Sequence, residues 1–176
     1  MAKNIVVFSD GTGQEGGTGP DTNVYKLFKI CENRTKRQVL FYDRGLGTKA
    51  HGSRLMRFLA NTTGLGISKN LKECYQFIFE NYQANDKIFL FGFSRGATTV
   101  RSLAGFIEMF GILPKSRPEL IAKAYKIYQI SDHQRRETMA QEFREKHHNM
   151  WVDIEFLGVW DTLPRLGFHG NHFQQP

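Results

Sequence analysis

Residues 88–97 are Ile-Phe-Leu-Phe-Gly-Phe-Ser-Arg-Gly-Ala. The stretch is an apolar run that ends at Ser94, which has a glycine two residues before it and another two residues after it. An almost uninterrupted apolar run of this length is typical of a strand that is covered on both faces. Behind Ser94, apolar residues recur at helical spacing through Val100, Leu103 and Ile107. The stretch therefore predicts a buried strand, a sharp turn at Ser94 and a helix that begins directly after the turn.

Three other apolar runs resemble this strand, and each ends in a polar residue: 5–10, 39–43 and 154–161. Helical patterns separate the runs, including one that follows Asp21, a candidate N-cap. Strands that alternate with helices indicate a parallel sheet in an α/β fold. We expect one domain over residues 1–176, in which the two helical patterns of residues 113–150 form a candidate lid.

The segment Gly92-Phe93-Ser94-Arg95-Gly96 matches the G-x-S-x-G motif of serine hydrolases, and the predicted strand and helix supply the context that the motif requires. Such a turn lifts the Ser94 hydroxyl above the sheet, where the helix N-terminus favours developing negative charge. The backbone N–H of Arg95 is the first candidate donor to an oxyanion. A second donor is expected from the first loop, at Gly11 or Thr12.

Four polar residues end the predicted strands and are expected at one edge of the sheet, where ligands bind in α/β folds. They are Asp10, Asp43, Ser94 and Asp161. Asp161 is the favoured acid of a catalytic triad because it follows Ser94 along the chain, although it could instead cap a turn. Asp10 and Asp43 are alternatives for that role, but Asp10 is expected to hold the glycine loop and Asp43 to cap the turn that follows it.

The general base is the least determined member of the site. Of six histidines, only His169 and His172 follow Asp161 in the order that α/β-hydrolases use. We rank His172 above His169, and a histidine beyond Pro176 above both.

Two other functional classes fit parts of the sequence. Residues 11–16 match the G-x-G-x-x-G pattern of dinucleotide-binding loops, but Gly17 to Pro20 follow where a helix should begin. A nucleotide- or phosphate-binding α/β domain is therefore the first alternative. The second is a non-catalytic module that keeps a hydrolase fold without a complete triad.

Five segments in order resemble one family: residues 9–12, 22–24, 42–47, 92–97 and 158–162. They are similar to a bacterial α/β-hydrolase domain that includes type VI secretion phospholipase effectors. The resemblance implies an α/β-hydrolase-like three-layer sandwich, which could lack its last strands. It also implies a Ser–Asp–His esterase, carried here by Ser94 and Asp161, that cleaves carboxylic esters with lipids as candidates. No metal or organic cofactor is expected.

Composition sets the remaining expectations. The net charge of +7 could favour nucleic acid or an anionic membrane surface, but the lysines and arginines are scattered among acids, so a solvated basic surface is the preferred interpretation and no nucleic-acid partner is expected. Cys31 and Cys74 are expected to be buried free thiols. With no Sec signal or membrane span in the sequence, we expect a cytoplasmic protein whose export, if any, needs a signal-independent route.

Overall fold

The computed structural model describes residues 2–11, 21–45 and 64–160, which form four strands and five helices. In chain order these are β1 (Asn4–Ser9), α1 (Asn23–Ile30), β2 (Gln38–Asp43), α2 (Gly64–Asn81), β3 (Lys87–Phe93), α3 (Arg95–Phe110), α4 (Leu120–Tyr128), α5 (His133–His147) and β4 (Ile154–Trp160). Each strand lies within one residue of the position that its apolar run predicts.

Within these residues the sheet is parallel throughout, in the strand order β2–β1–β3–β4. β1 pairs with β2 on one side and with β3 on the other, so that Phe8 lies opposite both Tyr42 and Phe91. The chain passes from β1 outward to β2 and then returns to the other side of β1 for β3. The strand order therefore reverses between β1 and β3, and a crevice at the carboxyl ends of these two strands is where ligands bind in such sheets.

Helices cover both faces of the sheet, which confirms the predicted parallel α/β sandwich. Alternate residues of β1 point to opposite faces, as the pleat of a strand requires. Ile5 and Val7 join the large core formed with α2 to α5, whereas Val6 and Phe8 pack with Val24 of α1. Because both faces are buried, the strand carries no alternating polar residues.

Residues 113–150, the predicted lid, contain α4 and α5. Buried side chains of both helices belong to the large core: Leu120, Ile121, Ala124, Tyr125, Ala140 and Phe143. The two helices therefore extend the helical layer that α2 and α3 begin. A covering role over the site stays a prediction.

Helix α1 is capped by Thr22, whereas the sequence pattern predicted Asp21 as its N-cap. The Thr22 Oγ accepts a hydrogen bond from the backbone N–H of Tyr25 at 3.0 Å. A threonine hydroxyl can accept this bond and still donate its own proton, which an ionised carboxylate cannot do. Asp21 instead pairs with Lys29 at 3.8 Å.

Both cysteines are free thiols, but they differ in burial. Cys74 is buried, and burial raises the pKa of its thiol well above the usual value. Cys31 is only half-buried, contrary to prediction, because it caps the C-terminus of α1. In the described part of the chain, no helix is both long and apolar enough to cross a membrane.

Candidate active site

Ser94 forms the turn between β3 and α3. Its backbone has φ 54° and ψ −117°, a conformation that non-glycine residues rarely adopt and that costs about 1–3 kcal/mol. The Ser94 N–H donates to the carbonyl of Trp160 at the end of β4, at 2.9 Å, and its carbonyl accepts from the N–H of Thr98 at 3.3 Å. Although Ser94 is the N-cap of α3, its hydroxyl makes no capping bond in the described structure. The neighbouring elements thus hold the strained turn without using the side chain.

Two glycines allow the turn to sit against its neighbours. A Cβ at Gly92 would lie 2.5 Å from the carbonyl oxygen of Gly96, and a Cβ at Gly96 would lie 1.9 Å from the carbonyl oxygen of Ser9. Both separations are far below van der Waals contact, so neither position accepts a side chain in this arrangement. The start of α3 therefore rests directly on the end of β1.

The start of the loop that follows β1 lies beside Ser94. A Cβ on Gly11 would lie 3.4 Å from the Cβ of Ser94 and 3.1 Å from the Phe93 ring. Gly11 is buried, and its backbone N–H donates to Asp10 Oδ1 at 2.8 Å. The structure therefore brings the first predicted loop and Ser94 together at the crevice between β1 and β3.

Asp10 directly follows β1 at the start of this loop and is buried, with 1% of its surface exposed. Besides the Gly11 N–H, its carboxylate accepts hydrogen bonds from the hydroxyls of Thr22 at 2.7 Å and Tyr42 at 2.6 Å. Burial, together with the hydrogen bond and charge of Asp10, raises the pKa of Tyr42. Asp10 thus joins the end of β1 to the start of α1 and the end of β2.

Asp43 forms a second buried carboxylate at the same edge. Its Oδ2 accepts from the Ser9 hydroxyl at 2.9 Å, and its Oδ1 accepts from the N–H of Gly45 at 3.0 Å, the turn cap that the sequence suggested. Burial raises the pKa of Asp43 although both hydrogen bonds act to lower it. Burial lowers the pKa of the Arg95 guanidinium, and the negative charge of Asp43 opposes that shift.

Part of the predicted site lies outside the described residues. This part consists of Thr12, Asp161, His169 and His172. Asp161 directly follows Trp160, whose carbonyl accepts the Ser94 N–H bond. The catalytic roles of the acid and the base stay predictions.

Sequence reasoning missed three side chains that build the site: Ser9, Thr22 and Tyr42. Each belongs to a segment that carried the family resemblance, yet none had a role until the strands were paired. For Ser9 and Tyr42 a signal existed in the sequence, because both lie at the polar ends of predicted strands. Within the described residues, no cluster of three or more His, Cys, Asp or Glu side chains is placed to hold a metal ion.

Comparisons with known proteins cover nearly the whole chain. A family model described as "T6SS, Phospholipase effector Tle1-like, catalytic domain" matches residues 3–176. Uncharacterized protein YEL023C of Saccharomyces cerevisiae is 31% identical over 185 residues, covering 94% of this chain and 27% of the yeast protein. The chain therefore spans about a quarter of that relative's length, and the similarity extends beyond bacteria. No solved structure matches the chain.

Proposed function

Because this chain belongs to the Tle1-like catalytic domain family of type VI secretion phospholipase effectors, we propose that it hydrolyses carboxylic esters of lipids through an acyl-enzyme on Ser94. The observation that carries the proposal is the strained Ser94 turn at the start of α3, beside the glycine loop of β1. A serine in this position attacks a carbonyl carbon held above the carboxyl edge of the sheet.

The first chemical step forms the acyl-enzyme. The Ser94 Oγ attacks the ester carbonyl carbon while its proton passes to a histidine, for which the candidates are, in order, one beyond Pro176, His172 and His169. Asp161 orients this imidazole. The tetrahedral intermediate collapses when the C–O bond to the alcohol breaks, and the imidazolium returns the proton to the departing alcohol. Water then attacks the acyl-enzyme by the same proton route and releases the fatty acid.

Backbone N–H groups stabilise the negative oxygen of the intermediate. The Arg95 N–H, at the first turn of α3, is the first proposed donor. The Gly11 N–H already donates to Asp10, so we assign the second donation to the N–H of Thr12. Removing one such donor lowers kcat by about 100- to 1,000-fold in well-studied hydrolases.

Two observations favour a lipid ester as substrate. The family description names phospholipase effectors, and the net charge of +7 favours an anionic lipid surface. The preference for lipid esters is tested by measuring the hydrolysis of p-nitrophenyl esters, phospholipid vesicles and peptides in parallel assays. Faster hydrolysis of peptides than of both ester classes would contradict it.

The nucleophile is tested with a fluorophosphonate probe and intact-mass analysis. We expect one adduct in the wild type, no adduct in Ser94→Ala, and an unchanged adduct in Ser102→Ala, which alters another serine of α3. Labelling should be followed over time and pH, because a serine without a poised base reacts slowly. An adduct that persists in Ser94→Ala contradicts the proposal, and saturable nucleotide binding without any adduct supports a phosphate-binding domain instead.

The acid and the base are tested by ester turnover in Asp161→Asn, His169→Ala and His172→Ala. Loss of turnover in His172→Ala, with His169→Ala unaffected, assigns the base to His172. Turnover that survives Asp161→Asn removes Asp161 from the mechanism, and turnover that survives both histidine substitutions moves the base elsewhere.

A further inference from the structure

We infer that Asp10 is a positioning residue that sets the reactivity of Ser94 by holding the glycine loop beside it. The inference rests on the proposed role of Ser94 as the nucleophile. Asp10 itself does not touch the substrate in this account. It acts through the Gly11 backbone.

The carboxylate of Asp10 is held at both oxygens. Oδ1 accepts from the Gly11 N–H at 2.8 Å, while Oδ2 accepts from the Thr22 and Tyr42 hydroxyls at 2.7 and 2.6 Å. Thr22 is itself fixed by its capping bond to α1, and Tyr42 by its position on β2. Rotation of the carboxylate would break bonds to two different secondary-structure elements, so the Gly11 N–H has a fixed partner.

The backbone of Gly11 lies directly against the side chain of Ser94, the proposed nucleophile. A Cβ added at Gly11 would stand 3.4 Å from the Ser94 Cβ, which shows how closely the loop backbone approaches the side chain. On the other side, a Cβ at Gly45 would lie 2.9 Å from the carbonyl oxygens of both Asp10 and Gly11. Gly11 is therefore confined between the Gly45 turn and Ser94, and its N–H is held by Asp10.

Asp86 is another buried acid, and it helps to distinguish a positioning role from a general contribution to stability. Asp86 has no exposed side-chain surface and pairs with the Lys3 ammonium, at the edge of the sheet opposite to Ser94. The carboxylate of Asp10 is also buried, but the three hydrogen bonds described for it come from neutral donors beside the site. A buried carboxylate is expensive to desolvate, and one oxygen of this carboxylate is bound to the backbone N–H of Gly11, which lies beside Ser94.

Two substitutions at position 10 distinguish the hydrogen bond to Gly11 from the hydrogen bonds to Thr22 and Tyr42. Asn at position 10 can keep its amide oxygen on the Gly11 N–H and turn its amide nitrogen toward the two hydroxyls, which can rotate to accept. A neutral amide oxygen holds the Gly11 N–H more weakly than a carboxylate does, so we expect Asp10→Asn to label about two- to tenfold more slowly than the wild type. Asp10→Ala frees the Gly11 peptide, and we expect a loss of about 100-fold, the effect of misplacing a reacting group by about 1 Å.

The experiment measures two quantities for each folded variant: the rate constant of fluorophosphonate labelling and the fraction of protein labelled at completion. Asp10→Ala should label slowly but reach the wild-type end point. Asp86→Ala is the control, and it should unfold at a lower temperature yet label at the wild-type rate. A purely structural role for Asp10 would lower the end point or the unfolding temperature and leave the rate constant unchanged.

Each outcome bears on one of the two proposals. Wild-type protein that forms no adduct at Ser94 overturns the proposed function. Wild-type labelling at Ser94 with an equal rate constant in Asp10→Ala overturns the positioning role alone. If Asp10→Ala does not fold, Asp10→Asn and Tyr42→Phe still decide the matter, because a structural role predicts wild-type rate constants in both. Positioning predicts a graded loss, with Asp10→Asn and Tyr42→Phe each slower than wild type.

Discussion

Replacing Gly96 by alanine tests the contact that places the Ser94 turn on β1. The new methyl group would lie 1.9 Å from the carbonyl oxygen of Ser9 and 2.3 Å from its carbonyl carbon. Ordinary contact is about 3.5 Å, so the start of α3 must move by roughly 1.5 Å. The obstacle is backbone in the central strand of the sheet, which cannot rotate away as a side chain would.

We expect the free energy of unfolding of Gly96→Ala to fall by about 3 kcal/mol, at the upper end of the usual penalty for overpacking. For a chain of 176 residues, that loss lowers the Tm by about 6–12 °C. The displaced turn also carries Ser94 with it, so the labelling rate of the surviving folded protein should fall by about 100-fold.

Gly105→Ala is the matched control, because it makes the same change in the same helix. A Cβ at Gly105 would meet only the hydroxyl of Tyr128, at 3.3 Å. Alanine is favoured over glycine inside a helix by about 1 kcal/mol, so this variant should unfold at or slightly above the wild-type temperature. Tm values for the two variants that agree within about 2 °C, with equal labelling rates, would refute the steric account of the turn.

Two further predictions concern buried polar groups away from the nucleophile. The Tyr75 hydroxyl donates to the carbonyl of Gly111 at 2.9 Å and accepts from the N–H of Leu113 at 3.1 Å. Tyr75→Phe leaves these two buried backbone groups without a partner and should lower the free energy of unfolding, measured by urea titration, by about 1–3 kcal/mol. An unchanged urea midpoint would contradict this prediction. Burial acts to raise the pKa of Asp86, but its hydrogen bonds, chiefly from Lys3, outweigh burial and place the pKa below the usual value. Its stabilising effect is therefore present above about pH 4 and is lost as the pH falls through the folded-state pKa. Urea titrations across this range should show the gap between wild type and Asp86→Asn closing as the pH falls, and a gap independent of pH would count against the assignment.

The sequence alone was enough to predict the strands, the turn and the fold class, because those depend on neighbours along the chain. The run that ends at Phe93 and the glycines around Ser94 specify a buried strand and a close turn by local sterics and by burial of both faces. The parallel arrangement followed from the alternation of strands with helices. Local patterns fared less well where two neighbours compete for one role, as Asp21 and Thr22 do at the start of α1.

The partners of Asp10 and Asp43 were decided only by the tertiary structure. Thr22 lies 12 residues from Asp10 and Tyr42 lies 32 residues away, while Ser9 and Asp43 are 34 residues apart. Periodicity places each residue on a face of its own element but carries no information about which strand lies beside which. The pairing of β1 with both β2 and β3 brings these side chains together, because only that register puts three strand ends and the start of α1 around one crevice.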